Sequence, residues 1–153
     1  MLISIITPCY NLSKYISATY QALLSQTHSD WEWIIVDDES TDSTRELIKG
    51  FNEDRIKLID SEHVGNLSIL RNRGAREARG DFLAFLDGDD IMEPRKLELQ
   101  IDQFQRDHRV QWSHTNVRIL QDETGELILH SKPPITDEFL EAERAFMQLA
   151  ERN

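Results

Sequence analysis

The chain has 153 residues, which is the size of a single domain. Hydrophobic residues make up 39% of it and aromatic residues 8%, enough for one packed core and too much for a disordered chain. Acidic residues outnumber basic ones by 28 to 17, for a net charge of −11, which argues against nucleic acid or an anionic membrane as the main partner. A phosphate-bearing ligand stays compatible with this charge, because a divalent metal can bridge carboxylates to phosphate.

Cys9 is the only cysteine, so the sequence permits no internal disulfide and no cysteine-rich zinc site. It follows an apolar run, and we interpret it as a small buried side chain in preference to a reactive thiol. The apolar N-terminus is too short for a signal peptide or a membrane span, and no other stretch is long enough to cross a bilayer. We therefore expect a reducing, cytoplasmic compartment.

Apolar runs alternate with helical patterns in the order strand, helix, strand, helix. The predicted strands are 2–7, 31–36, 55–60 and 82–86. The predicted helices begin after Ser13, after Ser43 with Glu46 as its capping-box partner, after the loop 63–66 and at Pro94, and the third ends near Arg79. This order predicts an α/β fold with a mostly parallel sheet flanked by helices. The last of these strands is apolar throughout, so we expect it to be central and covered on both faces.

The C-terminal part of the chain has a different pattern. A strand is predicted over 110–120, a turn over 122–125, a returning strand over 127–129 and an amphipathic helix over 136–150. We expect a single domain over 1–153, with an α/β core at 2–120 followed by a hairpin and a helix at 121–153.

Ligands of parallel α/β sheets bind outside the carboxyl ends of the strands. Residues that follow the first, second and fourth strands should therefore line one crevice: Thr7, Pro8 and Tyr10; Asp37 and Asp38; Asp87, Asp89 and Asp90. Carboxylates so close together repel one another, and a cation or hydrogen-bond donors would offset that repulsion. Hard oxygen ligands suit Mg²⁺ or Mn²⁺. The alternative is that Asp37 and Asp38 only cap the helix that follows them.

Four segments agree with one family in order and spacing. They are Ser-Ile-Ile-Thr-Pro-Cys-Tyr-Asn at 4–11, Trp-Ile-Ile-Val-Asp-Asp-Glu-Ser-Thr-Asp-Ser-Thr at 33–44, Arg-Asn-Arg-Gly-Ala-Arg-Glu-Ala-Arg-Gly-Asp at 71–81 and Phe-Leu-Asp-Gly-Asp-Asp at 85–90. Together they resemble the N-terminal, nucleotide-sugar-binding half of the family 2 glycosyltransferases, which have the GT-A fold. The resemblance implies metal-assisted transfer of a sugar from a nucleotide-diphospho-sugar to an acceptor hydroxyl, with inversion. It covers about residues 2–120.

The resemblance also implies roles for single residues. Thr7, Pro8 and Tyr10 would lie against the base and ribose of the nucleotide. Asp38 would accept a hydrogen bond from the base, typically from N3–H of uracil, which makes a UDP-sugar the expected donor.

For the diphosphate end of the donor, the resemblance implies that Arg71 lies near the diphosphate or the base. Asp87 would hold the ribose or support the metal. Asp89, the second acid of the Asp-x-Asp motif, would be the direct ligand of Mn²⁺ or Mg²⁺, and Asp90 would orient the loop.

The catalytic base and the acceptor-contacting motif of that family have no match in this sequence. The acidic residues of the last predicted helix fit a solvated helix face, so the catalytic residue stays unknown. We expect the acceptor-binding half to be absent and the chain to bind nucleotide with little or no transfer. The strands of the predicted hairpin would then be exposed, or covered by the last helix or a second copy, and we expect self-association.

Other classes fit the sequence less well. A phosphotransferase of the haloacid dehalogenase type, or a receiver domain, would carry its acidic motif after the first strand, where this chain has Thr7 and Pro8. A dinucleotide oxidoreductase would need a Gly-x-Gly-x-x-Gly after a strand, and none is present. A non-catalytic nucleotide-binding or interaction module that retains the glycosyltransferase fold remains an alternative. Among the histidines, His63 is the one that lies in a loop near the predicted crevice.

Overall fold

The computed structural model describes residues 1–115 and two short strands further along the chain. The first part alternates strands and helices. The strands are β1 (Ile3–Cys9), β2 (Trp31–Asp37), β3 (Ile56–Asp60) and β4 (Phe82–Phe85). The helices are α1 (Ile16–Leu24), α2 (Thr44–Gly50), α3 (Leu67–Arg76) and α4 (Lys96–Arg106). The predicted α/β class and the predicted order of elements are confirmed.

The sheet is parallel throughout and has the order β3-β2-β1-β4. Ile3 is paired with Trp31 on one side and with Phe82 on the other, so β1 lies between β2 and β4. The chain adds β2 and β3 to one side of β1 and then crosses to add β4 to the other. The switch point of the sheet is therefore at the carboxyl ends of β1 and β4, where ligands of such folds bind.

The two central strands are buried at every position, which explains their continuous β-branched and aromatic sequences. One face is covered by α1, α2 and α4, whose Leu23, Ile48 and Leu97 join the main apolar core. Trp33 is fully buried in that core. Burial of each such side chain contributes about 2 kcal/mol to folding, and these contacts hold the strand ends in fixed positions.

Helix α3 covers the other face of the sheet and lies very close to it. A Cβ at Gly74 would stand 2.5 Å from Cγ2 of Ile6, so only glycine allows this approach. The helix begins at a well-formed cap, because the side chain of Asn66 accepts hydrogen bonds from the backbone N–H groups of Ser68 and Ile69. Cap and close packing together fix the position of α3 over the switch point.

Strand β4 departs from the sequence prediction. Among the described strands it lies at the edge of the sheet, and the side chains of Leu83 and Phe85 are 49% and 52% exposed. In the part of the chain that the structure describes, this strand is thus neither central nor covered on both faces, in contrast to the prediction. An apolar run indicates that a strand can be buried, but it does not show which element covers it.

Three helix boundaries also differ from prediction. Helix α4 begins at Lys96, two residues after the predicted start at Pro94. The other two are the end of α3 and the start of α1. Helix α3 ends at Arg76, not near Arg79, because the backbone N–H of Arg79 donates to the carboxylate of Glu32. Helix α1 begins after Tyr15, not after Ser13. The backbone N–H of Ser13 donates to the side chain of Asp42 in another loop. Near the ends of α3 and α1, a contact distant in sequence therefore determines the backbone conformation.

By its contacts the chain separates into two units, Met1–Gln111 and Trp112–Asn153. In the second unit, β5 (Ile119–Leu120) and β6 (Leu127–Ile128) pair antiparallel, as predicted for a hairpin. Residues 110–115 form no strand, so the predicted strand over 110–120 is too long at its start. The predicted helix over 136–150 and the predicted exposure of Leu120 and 127–129 lie outside the described residues.

Within the part of the chain that the structure describes, no helix combines the length and the apolar character needed to cross a membrane.

Candidate functional site

The loops after β1 and β2 are tied together at the rim of the crevice. Asn11 adopts a positive φ of 52°, and its Oδ1 accepts hydrogen bonds from the backbone N–H groups of Thr41 and Asp42. Burial alone would raise the pKa of Asp42, but hydrogen bonds from Thr44 and Ser13 lower it to about 2. These contacts hold the backbone after β1 in one conformation beside the switch point.

The residues predicted after β1 take different positions. Thr7 is fully buried, and its Oγ1 accepts a hydrogen bond from Nε1 of Trp33 at 2.7 Å. Pro8 is also buried. Tyr10 is 46% exposed. Tyr10 is thus the one of the three with a large exposed surface, and the side chains of Thr7 and Pro8 are covered by the protein itself.

Asp37 stabilises a turn. Its carboxylate accepts hydrogen bonds from the backbone N–H and the hydroxyl of Ser40, and Nε of Arg45 lies 3.7 Å away. The side chain is fully buried. Asp37 therefore stabilises the connection from β2 to α2, but it does not cap α2, whose N-cap is Ser43.

Asp38 faces the connection between β3 and α3. Its Oδ1 accepts a hydrogen bond from Val64 N at 2.7 Å, and its Oδ2 accepts one from Gly65 N at 2.9 Å. Nδ1 of His63 lies 3.1 Å from Oδ2. The Asp38 side chain is only 3% exposed, so a ligand can reach its carboxylate only at a small uncovered edge.

Helix α3 carries Arg71 to the loop after β4. Nη2 of Arg71 donates to Oδ1 of Asp87 at 2.6 Å, and both side chains are partly exposed. Nε of the same guanidinium is buried, and no hydrogen-bond partner for it exists among the described residues. A buried donor without a partner is costly, and the exposed part of the same guanidinium is free to contact an anionic ligand.

The loop after β4 is a tight turn. The backbone N–H of Asp90 donates to the backbone oxygen of Asp87, and the hydroxyl of Thr19 in α1 donates to the backbone oxygen of Gly88. A Cβ at Gly88 would stand 2.5 Å from Cδ1 of Leu12. Gly88 thus packs inward, while Asp89 and Asp90 are exposed.

The acidic loop affects the protonation of its own members. Partial burial, followed by the charges of Asp89 and Asp87, raises the pKa of Asp90, and the ammonium of Lys96 opposes that rise. Burial lowers the pKa of Lys96. Burial and the neighbouring Asp37 also raise the pKa of Cys9 to about 12. Cys9 is therefore an inert buried thiol, as predicted.

The described carboxylates at this edge of the sheet do not form a complete metal site by themselves. Among the described residues, no three His, Cys, Asp or Glu side chains converge to hold a metal ion by themselves. Mg²⁺ and similar ions are commonly held by one or two carboxylates together with phosphates and water. The exposed carboxylate of Asp89, beside that of Asp87, fits an ion of this kind and does not form a site closed by protein ligands alone.

Comparisons with known proteins agree with this geometry. The model of the family described as Glycosyl transferase family 2 matches residues 4–146. The UDP-Glc:alpha-D-GlcNAc-diphosphoundecaprenol beta-1,3-glucosyltransferase WfgD of Escherichia coli is 38% identical over 121 residues, which are 79% of this chain and 47% of WfgD.

Two solved structures are similar as well. The structure of S. aureus TarS 1-349 in complex with UDP-GlcNAc matches with a TM-score of 0.67 and 29% identity, over 71% of this chain and 32% of that one. The mannosyltransferase PcManGT from Pyrobaculum calidifontis, in complex with GDP-Man and Mn²⁺, matches with a TM-score of 0.62 over 67% of this chain and 32% of its own. At 20% identity, this second likeness concerns the fold alone.

The protein has the GT-A fold of glycosyltransferases. The chain belongs to glycosyl transferase family 2. It spans about half the length of the curated relatives it matches.

Sequence reasoning missed how the loops of the site contact one another. It placed Asp38 in the crevice but not under His63, and it gave no role to Asn11 or Asp42. The positive φ of Asn11 had a sequence signal, because asparagine tolerates the left-handed region better than most residues. The contact between Asp38 and His63 joins residues 25 positions apart and leaves no local pattern.

Proposed function

We propose that this chain forms the donor site of a glycosyltransferase that takes a nucleotide-diphospho-sugar and transfers the sugar, with inversion, to an acceptor hydroxyl. The observation that carries the proposal is the pairing of Arg71 with Asp87 of the Asp87-Gly88-Asp89 turn at the switch point between β1 and β4. The half-exposed Tyr10 directly follows β1 at the same edge of the sheet. An aromatic ring, a guanidinium and exposed carboxylates there match the base, the diphosphate and the metal of such a donor.

The base and ribose would lie against Tyr10, over the buried Thr7 and Pro8. The half-exposed ring offers a flat surface on which a base can stack. Asp38 would contribute to base recognition from the adjacent connection, whose backbone it holds. UDP-GlcNAc and UDP in the complexes of the neighbour TarS support a uridine nucleotide.

The diphosphate would lie between Arg71 and the acidic turn. The partly exposed guanidinium of Arg71 can donate to phosphate oxygens. Asp89, with Asp87 beside it, would hold Mn²⁺ or Mg²⁺ against the diphosphate; the neighbour PcManGT was solved with Mn²⁺. When bound, the metal would act as a Lewis acid that stabilises the charge of the departing nucleoside diphosphate. Asp90 would keep the turn in shape through its backbone N–H.

Transfer also needs a general base that activates the acceptor hydroxyl, and we assign that role to no described residue. The acceptor and the sugar are therefore not specified by this proposal. Binding of the donor can be tested independently of transfer.

Thermal unfolding in the presence of ligand tests the donor site directly. A ligand that binds only the folded state raises the unfolding temperature in proportion to the logarithm of its concentration. We expect UDP-GlcNAc or UDP to raise it in the presence of Mn²⁺, and to a smaller extent without it. An unfolding temperature that no nucleoside diphosphate or nucleotide-sugar changes, with or without Mn²⁺, would contradict the proposal.

A further inference from the structure

The carboxylate expected to recognise the base is enclosed by the chain itself. Asp38 accepts two backbone hydrogen bonds from Val64 and Gly65, and its side chain is almost fully buried. A base that enters the crevice therefore meets another side chain before Asp38. His63 is the half-exposed ring at this position, and its centroid lies 4.9 Å from that of Tyr10.

The contacts of His63 determine which ring nitrogen carries the hydrogen. Nδ1 lies 3.0 Å from the backbone oxygen of Asp38 and 3.1 Å from its Oδ2. Both atoms are acceptors, so in the neutral ring Nδ1 carries the hydrogen and Nε2 presents a lone pair.

Gly65 leaves open space beside Nε2 of His63. A Cβ at Gly65, whose φ is 58°, would stand 3.7 Å from Nε2 of His63. With glycine there, no side chain lies in that space, and the acceptor nitrogen can be approached from it.

We propose that His63 reads the nucleobase, with Nε2 accepting the ring N–H of uracil or guanine while Tyr10 lies against the base. This inference rests on the proposed nucleotide-binding function and assigns a class of base to it. Uracil N3 and guanine N1 carry a hydrogen, whereas cytosine N3 and adenine N1 are acceptors and would face Nε2 with a second lone pair. Asp38 is then a positioning residue, since it holds Nδ1–H and so keeps Nε2 as the acceptor.

The test compares four nucleotides in the presence of Mn²⁺ by calorimetric titration: UDP, GDP, CDP and ADP. We expect the wild-type protein to bind UDP or GDP more tightly than CDP and ADP. His63→Ala should weaken the preferred nucleotide by about fivefold to tenfold, the effect of one lost hydrogen bond, and leave CDP and ADP unchanged. His63→Gln, whose Oε1 is an acceptor, should restore much of the preference. His28→Ala, which removes a half-buried histidine that contacts Met1 and Asp30, is the matched control.

Two results would overturn the inference and leave nucleotide binding intact: a His63→Ala protein that keeps the wild-type preference, or a wild-type protein that prefers CDP or ADP. Failure of the folded wild-type protein to bind any of the four nucleotides would instead overturn the proposed function, and this inference with it. Thermal unfolding of each variant, which we expect to match the wild type, confirms that the fold is retained.

Discussion

Arg71 donates from Nη2 to Oδ1 of Asp87 at 2.6 Å and so joins helix α3 to the turn that follows β4. The two residues are 16 positions apart, and each was expected at the crevice for a separate reason. Their contact brings a cation to an acidic turn and leaves Nε of the guanidinium buried without a partner among the described residues. The exposed part of the guanidinium can contact an anion, and we expect its loss to affect binding more than stability.

Replacement of Arg71 by alanine should lower nucleoside diphosphate affinity by about tenfold, because charge-assisted hydrogen bonds to phosphate are lost. The unfolding free energy should change by less than about 1 kcal/mol, since the ion pair is partly exposed. Calorimetric titration and chemical denaturation measure the two effects. Arg76→Ala removes the same charge from an exposed position of the same helix and should leave affinity unchanged. Equal losses in both variants would indicate a general charge effect.

Gly80 should tolerate no side chain. A Cβ there would stand 2.6 Å from the backbone nitrogen of Ser4 and 2.8 Å from the backbone oxygen of Leu2, and backbone atoms in a central strand cannot move aside cheaply. Gly80→Ala should destabilise the protein by about 2 kcal/mol. Gly50→Ala, at the end of α2 with open space around it, should stabilise by about 0.5 kcal/mol. Urea denaturation measures the change in unfolding free energy for each variant. Similar changes for both variants would contradict the close approach at Gly80.

Glu32 should make stability depend on pH. Burial would raise the pKa of this carboxyl, but hydrogen bonds from the hydroxyl of Ser4 and from Arg79 lower it below its ordinary value of 4.5. Because the folded-state pKa is lowered, the stabilisation is present above pH 4.5 and is lost as the pH falls through the folded-state pKa.

Glu32→Gln should therefore cost about 1–2 kcal/mol near neutral pH, and the difference from the wild type should shrink on acidification below pH 4.5. Denaturation curves recorded from neutral to acidic pH measure this difference in unfolding free energy. Glu77→Gln, which breaks the exposed pair with Lys57, should cost less than about 0.5 kcal/mol. A difference for Glu32→Gln that does not vary with pH would show that the carboxylate charge is not the stabilising feature.

The exposed apolar side chains of β4 should promote self-association. Leu83 and Phe85 lie on an edge strand among the described strands, and such edges pair readily with another chain. We expect the mean mass from light scattering to rise with concentration, and Phe85→Lys to suppress the rise. A wild-type protein that stays monomeric at every concentration would contradict this expectation.

The sequence predicted the alternation of strands and helices because β-branched runs, helical spacing and turn residues are local signals. It also placed Asp38, Asp87 and Asp89 at one sheet edge, because parallel strands bring their carboxyl ends together. The covering of β4 was not predictable, since the apolar run of that strand does not identify its neighbours. Nor was the pairing of Thr7 with Trp33, which depends on sheet register over 26 positions.

The capping contact predicted for helix α2 is also absent. Ser43 lies at the N-cap of α2, as the Ser43–Glu46 pattern predicted, but its side chain makes no capping hydrogen bond. The hydroxyl of the next residue, Thr44, instead donates to Asp42 and accepts a hydrogen bond from the backbone N–H of Leu12 in the loop after β1. A contact between loops thus took the place of the local cap.

Calorimetric titration of UDP, with and without Mn²⁺, into the wild-type protein, Asp89→Ala and Asp54→Ala tests the central claim most directly. Asp54 is exposed in the connection before β3, at the opposite end of that strand from the crevice. We predict that Mn²⁺ strengthens UDP binding to the wild-type protein and to Asp54→Ala, and that Asp89→Ala loses this effect. Metal-dependent binding that Asp89→Ala retains, or the absence of UDP binding to the folded wild-type protein, would contradict a donor site at the switch point between β1 and β4.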